Sequence, residues 1–147
     1  MPKRILACQK YFPDYTDTMN TTPLSSALVL LSGGQDSTTC LFWAKKNFKN
    51  VFSIGFDYGQ KHLVELEQAR HIAKIADVPL HVVNIQGMLQ GSALTEHNKD
   101  VSAQHEMNPA LPSSFVPGRN ALFLTLAASY AYTHKIYDLV GGMCQTD

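Results

Sequence analysis

A chain of 147 residues, 45% apolar and 16% charged, is long enough for one domain with a real core and too weakly charged to stay disordered. Lys plus Arg and Asp plus Glu number 12 each, so the formal charge is zero, which argues against nucleic acid or a membrane surface as the main partner and for a small pocket ligand. The three cysteines, Cys8, Cys40 and Cys144, are far apart and form no C-x-x-C pair, which argues against a disulfide scaffold or a complete structural zinc site and points to a reducing cytoplasmic setting.

Met1–Ser25 has too short an apolar part for a secretory segment, and Tyr11 to Thr22 is rich in turn and hydroxyl residues without periodicity. We expect a poorly ordered extension there, with Met19 a candidate start. Ala27–Leu31 is a continuous apolar run, the pattern of a strand covered on both faces. A glycine turn, Ser32 to Ser37, leads into a short helix over Thr38–Asn47, with Leu41, Phe42 and Ala44 inward. Val51–Asp57 reads as a second strand. Lys61–Asp77 reads as a helix because Leu63, Leu66, Ala69, Ile72, Ala73 and Ala76 recur at helical spacing.

Pro79 ends that register, and Leu80–Ile85 reads as a third strand. Gln86–Ser114 has no period; a loop this long is a substrate lid or a mobile segment. Pro117-Gly118-Arg119-Asn120 opens a helix over Ala121–His134, with Leu122, Phe123, Leu126, Ala127 and Tyr130 on its apolar side. Tyr137–Gly142 is a fourth strand. Strands alternating with helices predict an α/β fold: an open parallel sheet with helices on both faces. No run of ~18 apolar residues predicts a membrane-spanning helix.

The chemistry-bearing stretch is Ser32-Gly33-Gly34-Gln35-Asp36-Ser37-Thr38-Thr39. A strand, a glycine turn and a helix start present outward backbone N–H groups and the positive end of a helix dipole to an anion. Two glycines let backbone approach phosphate oxygens, and Ser32, Ser37 and Thr38 can add hydroxyl donors. The plain alternative is a strand–turn–helix joint without a ligand. No lysine follows the glycines, so this is not a Walker A sequence, and the adjacent glycines do not have the spacing of a G-x-G-x-x-G fingerprint.

The loop resembles the S-G-G-x-D-S loop of the ATP pyrophosphatases, or PP-loop enzymes. Three further stretches narrow the resemblance: Asp57-Tyr58-Gly59-Gln60-Lys61-His62, Phe115-Val116-Pro117-Gly118-Arg119-Asn120, and Gly141-Gly142-Met143-Cys144-Gln145-Thr146-Asp147. Together, from about Ala27 to Asp147, they are similar to the 7-cyano-7-deazaguanine synthase family of queuosine biosynthesis. The resemblance implies a Rossmann-like sheet of the adenine nucleotide alpha hydrolase type over residues 26–147, with its strand order reversing between the first and fourth predicted strands. Ser32–Ser37 and Gly141–Asp147 would then flank one crevice.

The resemblance implies that ATP is cleaved between its α and β phosphates, adenylating 7-carboxy-7-deazaguanine, which ammonia converts to an amide; a second adenylation yields the nitrile. It implies ATP contacts at Leu31, Ser32, Gly33, Gly34, Gln35, Asp36, Ser37, Thr38, Thr39, Cys40, Leu41, Phe56 and Asp57. Catalytic roles fall on Asp36, Ser37 and Arg119, and substrate contacts on Tyr58, Gln60, Phe115, Arg119 and Asn120. Asp36 and Asp147 are candidates for holding Mg²⁺, with a frayed chain end the alternative for Asp147. Gln60, His62 and Glu65 belong either to the substrate side or to a solvated helix start. Arg119 either meets a phosphate or carboxylate or is a surface arginine capping its loop, and Cys40 reads better as core than as nucleophile.

The family's later part carries zinc-binding cysteines. Those ligands lie beyond Asp147, so no metal residue is assigned and the chain reads as shortened, lacking a strand that would cover the outer side of Tyr137–Gly142. Leu139 and Val140 would then lie near an unprotected edge, making the chain marginally stable, self-associating or dependent on a partner that supplies the missing strand, and inactive by itself. The expected partners are the small-molecule substrates, without nucleic acid or membrane; a homodimer is left open. Two other readings stand beside this one: another PP-loop adenylating enzyme, for tRNA thiolation or amide synthesis, and a nucleotide-binding fragment without catalysis.

Overall fold

Leu24–Leu30 forms the middle strand of a parallel sheet, and Ala27–Leu30 are buried on both of its faces. A computed structural model describes residues 4–7, 24–59, 64–88 and 118–143. In chain order the elements are β1 (Arg4–Ala7), β2 (Leu24–Leu30), α1 (Gln35–Asn47), β3 (Phe48–Asp57), α2 (Val64–Ile75), β4 (Leu80–Asn84), α3 (Arg119–Thr133) and β5 (Asp138–Gly141). The sheet order is β1-β5-β2-β3-β4, parallel at every pair. The chain steps outward through β3 and β4 and then returns to the other side of β2. The order therefore reverses between β2 and β5, as expected.

Period-two alternation in β2 sends its side chains to two cores. Ala27 and Val29, with Leu31 just beyond the strand, pack with Cys40, Leu41 and Ala44 of α1 and Ala69 and Ala73 of α2. Leu28 and Leu30 pack on the opposite face with Ile54, Phe56, Leu139 and the small Ala127 and Ala131 of α3. Two helices thus cover one face and one covers the other, the open α/β architecture the sequence predicts.

Two expectations are corrected. Phe42 is not inward: it is 47% exposed, because the buried stripe of α1 runs through Ser37, Cys40, Leu41 and Ala44 at helical spacing. The N-terminal stretch is not wholly without regular structure. Arg4–Ala7 pairs with β5, Arg4 opposite Asp138 and Ala7 opposite Gly141, and so covers the edge expected to leave Leu139 and Val140 unprotected. Four residues are too few to show periodicity, and only the partner strand makes them a strand.

The stripe makes a prediction. Leu41→Ala removes a fully buried side chain and should cost about 2–5 kcal/mol. Phe42→Ala, one position along, should stay within about 0.5 kcal/mol. Urea denaturation midpoints of the two variants test this; equal losses would refute the observed helix register.

Candidate functional site

The pairing of β2 with β3 extends one residue past its end, the Leu31 N–H donating to the Ile54 carbonyl at 2.9 Å. The chain then turns at Gly33, with φ +91°. A Cβ there would lie 2.2 Å from the Glu65 carbonyl oxygen and 2.9 Å from the Ala69 nitrogen. Glycine is required because the turn presses directly on the backbone of α2. Gly34 caps α1 in an extended conformation without a side-chain hydrogen bond, and Asp36 stands in the first turn. The opening N–H groups of a helix have no intrahelical partners, so this end suits an anion.

The hydroxyls play a different part from the one expected. Ser37 Oγ donates to the Gly34 carbonyl at 3.0 Å, accepts from the Ser32 N–H at 3.3 Å and lies 3.1 Å from Ser32 Oγ. Thr38 Oγ1 donates to the same Gly34 carbonyl at 2.8 Å, and Thr39 Oγ1 to the Gln35 carbonyl at 2.9 Å. Ser37 and Thr38 therefore shape the turn instead of offering their protons outward. Ser32 is exposed, as are Gly34, Gln35 and Asp36. Cys40 and Leu41 have fully buried side chains in the core, which leaves only their backbone to meet a ligand.

The end of β5 meets the start of α1. A Cβ on Gly142 would lie 2.8 Å from the Asp36 carbonyl carbon and 3.0 Å from the Ser37 nitrogen. The two glycine-rich ends thus touch across the strand reversal. Beside them opens a cavity of about 270 Å³. Leu30, Leu31, Ile54 and Leu66 line it with apolar surface, Ser32 borders it from the loop, Ser37 from the first turn of α1, and Gly142 and Met143 from the segment just after β5. Phe56, Tyr58 and Phe123 supply aromatic rings, and Glu65, Arg119 and Asn120 polar groups.

Phe123 stacks on Phe56, centroids 4.4 Å apart and planes 8° from parallel, and Tyr58 tilts against it at 5.6 Å. Phe123 was assigned only to the apolar side of its helix. Its spacing four residues after Arg119, on one helical face, was the available signal. Glu65 and Met143 line the cavity, on the substrate side and the crevice edge where the sequence reading allowed them, whereas Leu66, Ile54 and Leu30 carry no sequence signal because packing alone brings them there. The Asp57 carboxylate is held locally: Oδ1 accepts from the Gly59 N–H at 3.1 Å and Oδ2 from Gln86 Nε2 at 3.0 Å, locking the turn after β3. Gln60, His62, Phe115 and Asp147 lie outside the described residues.

Burial pushes the Tyr58 hydroxyl above its ordinary pKa near 10; the nearby Arg119 cation opposes this, the Glu65 carboxylate reinforces it, and a hydrogen bond from Arg119 opposes it. The fold therefore favours the neutral phenol. The stability so contributed is fully present below the unfolded value near 10 and is lost as pH rises through the higher folded value. Stability measured in urea should fall more steeply above that pH in the wild type than in Tyr58→Phe. Parallel pH profiles would contradict the buried, neutral phenol.

A doubly covered parallel sheet, with a glycine turn feeding a helix start at its strand reversal and a cavity beside it, defines an α/β protein of the nucleotide-binding class. The U34-tRNA thiolase NcsA from Methanococcus maripaludis, solved with its [4Fe-4S] cluster, shares the fold: TM-score 0.56, 16% identity, 82% of this chain and 39% of that one. Residues 26–147 match the family model for the queuosine biosynthesis protein QueC, and the chain belongs to that family. It is 49% identical over 123 residues to the 7-cyano-7-deazaguanine synthase of Laribacter hongkongensis, covering 82% of this chain and 54% of that protein. It is 48% identical to that of Chromobacterium violaceum over 133 residues, covering 88% of this chain and 57% of that protein. The chain spans about half the length of the curated relatives it matches. Among the described residues, no helix is long and apolar enough to cross a membrane, and no three His, Cys, Asp or Glu side chains gather to hold a metal ion.

Proposed function

We propose that this chain carries the ATP site and part of the substrate wall of a C–N ligase, the ATP-dependent conversion of 7-carboxy-7-deazaguanine and ammonia to 7-cyano-7-deazaguanine. The observation that carries the reading is the contact of the glycine turn and α1 start with Gly142, beside a cavity that holds both Arg119 and stacked aromatic rings. Backbone amides at the turn would receive the phosphates of ATP, and Ser37 holds the turn in the shape that presents them. The aromatic residues suit a flat heterocycle, and the rigid guanidinium fork of Arg119 suits its carboxylate. Magnesium favours few carboxylates together with phosphate oxygens and water, so the exposed Asp36 fits such an ion alongside bound nucleotide.

In this reading the carboxylate oxygen attacks the α phosphorus and pyrophosphate leaves. Ammonia then displaces AMP, giving the amide and releasing a proton. The amide oxygen is adenylated by a second ATP, and loss of AMP with the remaining amide protons leaves the nitrile. The residues contribute by positioning and by balancing charge, without a covalent nucleophile. Incubation with ATP, ammonia and 7-carboxy-7-deazaguanine should release AMP and pyrophosphate and form the nitrile, followed by mass. ADP and phosphate as the sole nucleotide products would refute adenylation, and ATP binding without turnover would favour a non-catalytic nucleotide-binding role.

A further inference from the structure

We propose that Gly142 is a positioning residue: its bare Cα backs the Asp36–Ser37 peptide group at the start of α1, so that the N–H of this peptide stays aimed at the phosphates of a bound nucleotide. This role presupposes the nucleotide site proposed above and adds to it how the far side of the crevice sets the direction of an anion donor.

Sheet pairing brings the two segments together. β5 runs beside β2 with Val140 opposite Val29, so the residues just after β5 lie beside the turn that opens α1. A Cβ on Gly142 would lie 2.8 Å from the Asp36 carbonyl carbon, 3.0 Å from its oxygen and 3.0 Å from the Ser37 nitrogen. Three nearly equal distances place it over the face of the planar peptide group, away from the in-plane direction in which the N–H points. Gly142 therefore supports the peptide without standing in the path of a ligand. The Ser37 N–H belongs to the first turn of the helix, where N–H groups have no intrahelical partner. One residue further on, the Thr38 N–H donates to the Gly34 carbonyl at 3.0 Å.

Glycine at this position is not required by backbone conformation. The left-handed glycines are Gly33, Gly59, Gly87 and Gly118, so the backbone at Gly142 would itself admit an alanine. What excludes a side chain is the peptide that Gly142 rests on. Both sides of the contact are backbone, so no rotamer relieves it, and an added methyl group must tilt the peptide. A tilted N–H loses its hydrogen bond steeply with angle. Gly141 is the contrast: a Cβ there would meet Met143 Cε at 3.5 Å, an ordinary contact with the end of a flexible side chain.

The test compares Gly142→Ala with Gly141→Ala in the full chain, titrated calorimetrically with ATP and with inorganic triphosphate. Gly142→Ala should weaken both ligands about tenfold or more, the scale of one hydrogen bond to a charged group. Gly141→Ala should leave both affinities as they are. The amide resonances of the ¹⁵N-labelled protein supply the second readout. In the wild type, saturating triphosphate should shift the Ser37 amide more than the Thr38 amide, and in Gly142→Ala the Ser37 shift should shrink. Unchanged triphosphate affinity in Gly142→Ala overturns the positioning role and leaves adenylation standing. Weakened affinity with an unaltered Ser37 shift at saturation marks a merely structural effect and also overturns it. A wild-type Ser37 amide that does not respond to triphosphate sinks the proposal even where Gly142→Ala fails to fold. The expected losses and shifts without release of AMP and pyrophosphate support the positioning and defeat the adenylating reading. A wild-type chain that binds neither ATP nor triphosphate overturns both.

Discussion

Gly33→Ala should be the most damaging methyl group that can be added at any of the described glycines. The new Cβ would meet two backbone atoms, the Glu65 carbonyl oxygen at 2.2 Å and the Ala69 nitrogen at 2.9 Å, and neither can rotate away. Gly33 also sits at φ +91°, where a side chain costs about 1–2 kcal/mol by itself. Overpacking adds about 1–3 kcal/mol. The sum is a large share of a domain stability of about 5–15 kcal/mol. The expected result is a lowered urea midpoint together with loss of ATP binding, because relief requires the turn to lift off α2. Gly87→Ala is the control: φ is also positive there, at +81°, but a Cβ meets nothing within 4 Å. Its loss should be limited to backbone strain. Equal losses at the two positions would show that the close approach to α2 is not what matters.

Arg119→Ala should lower the rate of AMP release by about 10²–10³-fold, the scale for removing one donor group aimed at developing or bound negative charge. Arg119 lies at the first position of α3, after Gly118 in the left-handed conformation at φ +71°. The helix start already favours an anion there, and the guanidinium adds a fork to it. Arg119→Lys should recover only part of the rate, since an ammonium restores charge without the planar pair of donors. Full activity in Arg119→Ala would assign this residue to the surface and would remove the reason for a carboxylate at this end of the cavity.

The two glycines behave differently for a reason the chain order does not show. Gly33 and Gly87 are both turn glycines in sequence, yet only one has another helix's backbone behind it. The same holds for Phe42 and Phe123. Both are helical phenylalanines, and composition offers no reason to separate them. Phe42 falls outside the buried stripe of α1, while Phe123 stacks on Phe56 on one face of the sheet. Cys40 and Leu41 sit two and three residues after Thr38 in the loop stretch, but helical rotation carries their side chains into the core.

By itself the sequence determined the alternation of strands and helices from β2 to β5, the glycine turn at the start of α1 and the family resemblance that residues 26–147 bear out. These are legible because apolar periodicity and turn chemistry act over a few neighbouring residues. Only the tertiary structure decided that Arg4–Ala7 closes the edge beside β5, how closely Gly142 approaches Asp36 in the crevice the resemblance implied, and that Phe123 joins Glu65, Arg119 and Tyr58 at one cavity. Those placements join residues far apart in the chain. The added edge strand, the approach of one backbone to another and the packing of rings exist only once the layers have met, so no local pattern encodes them.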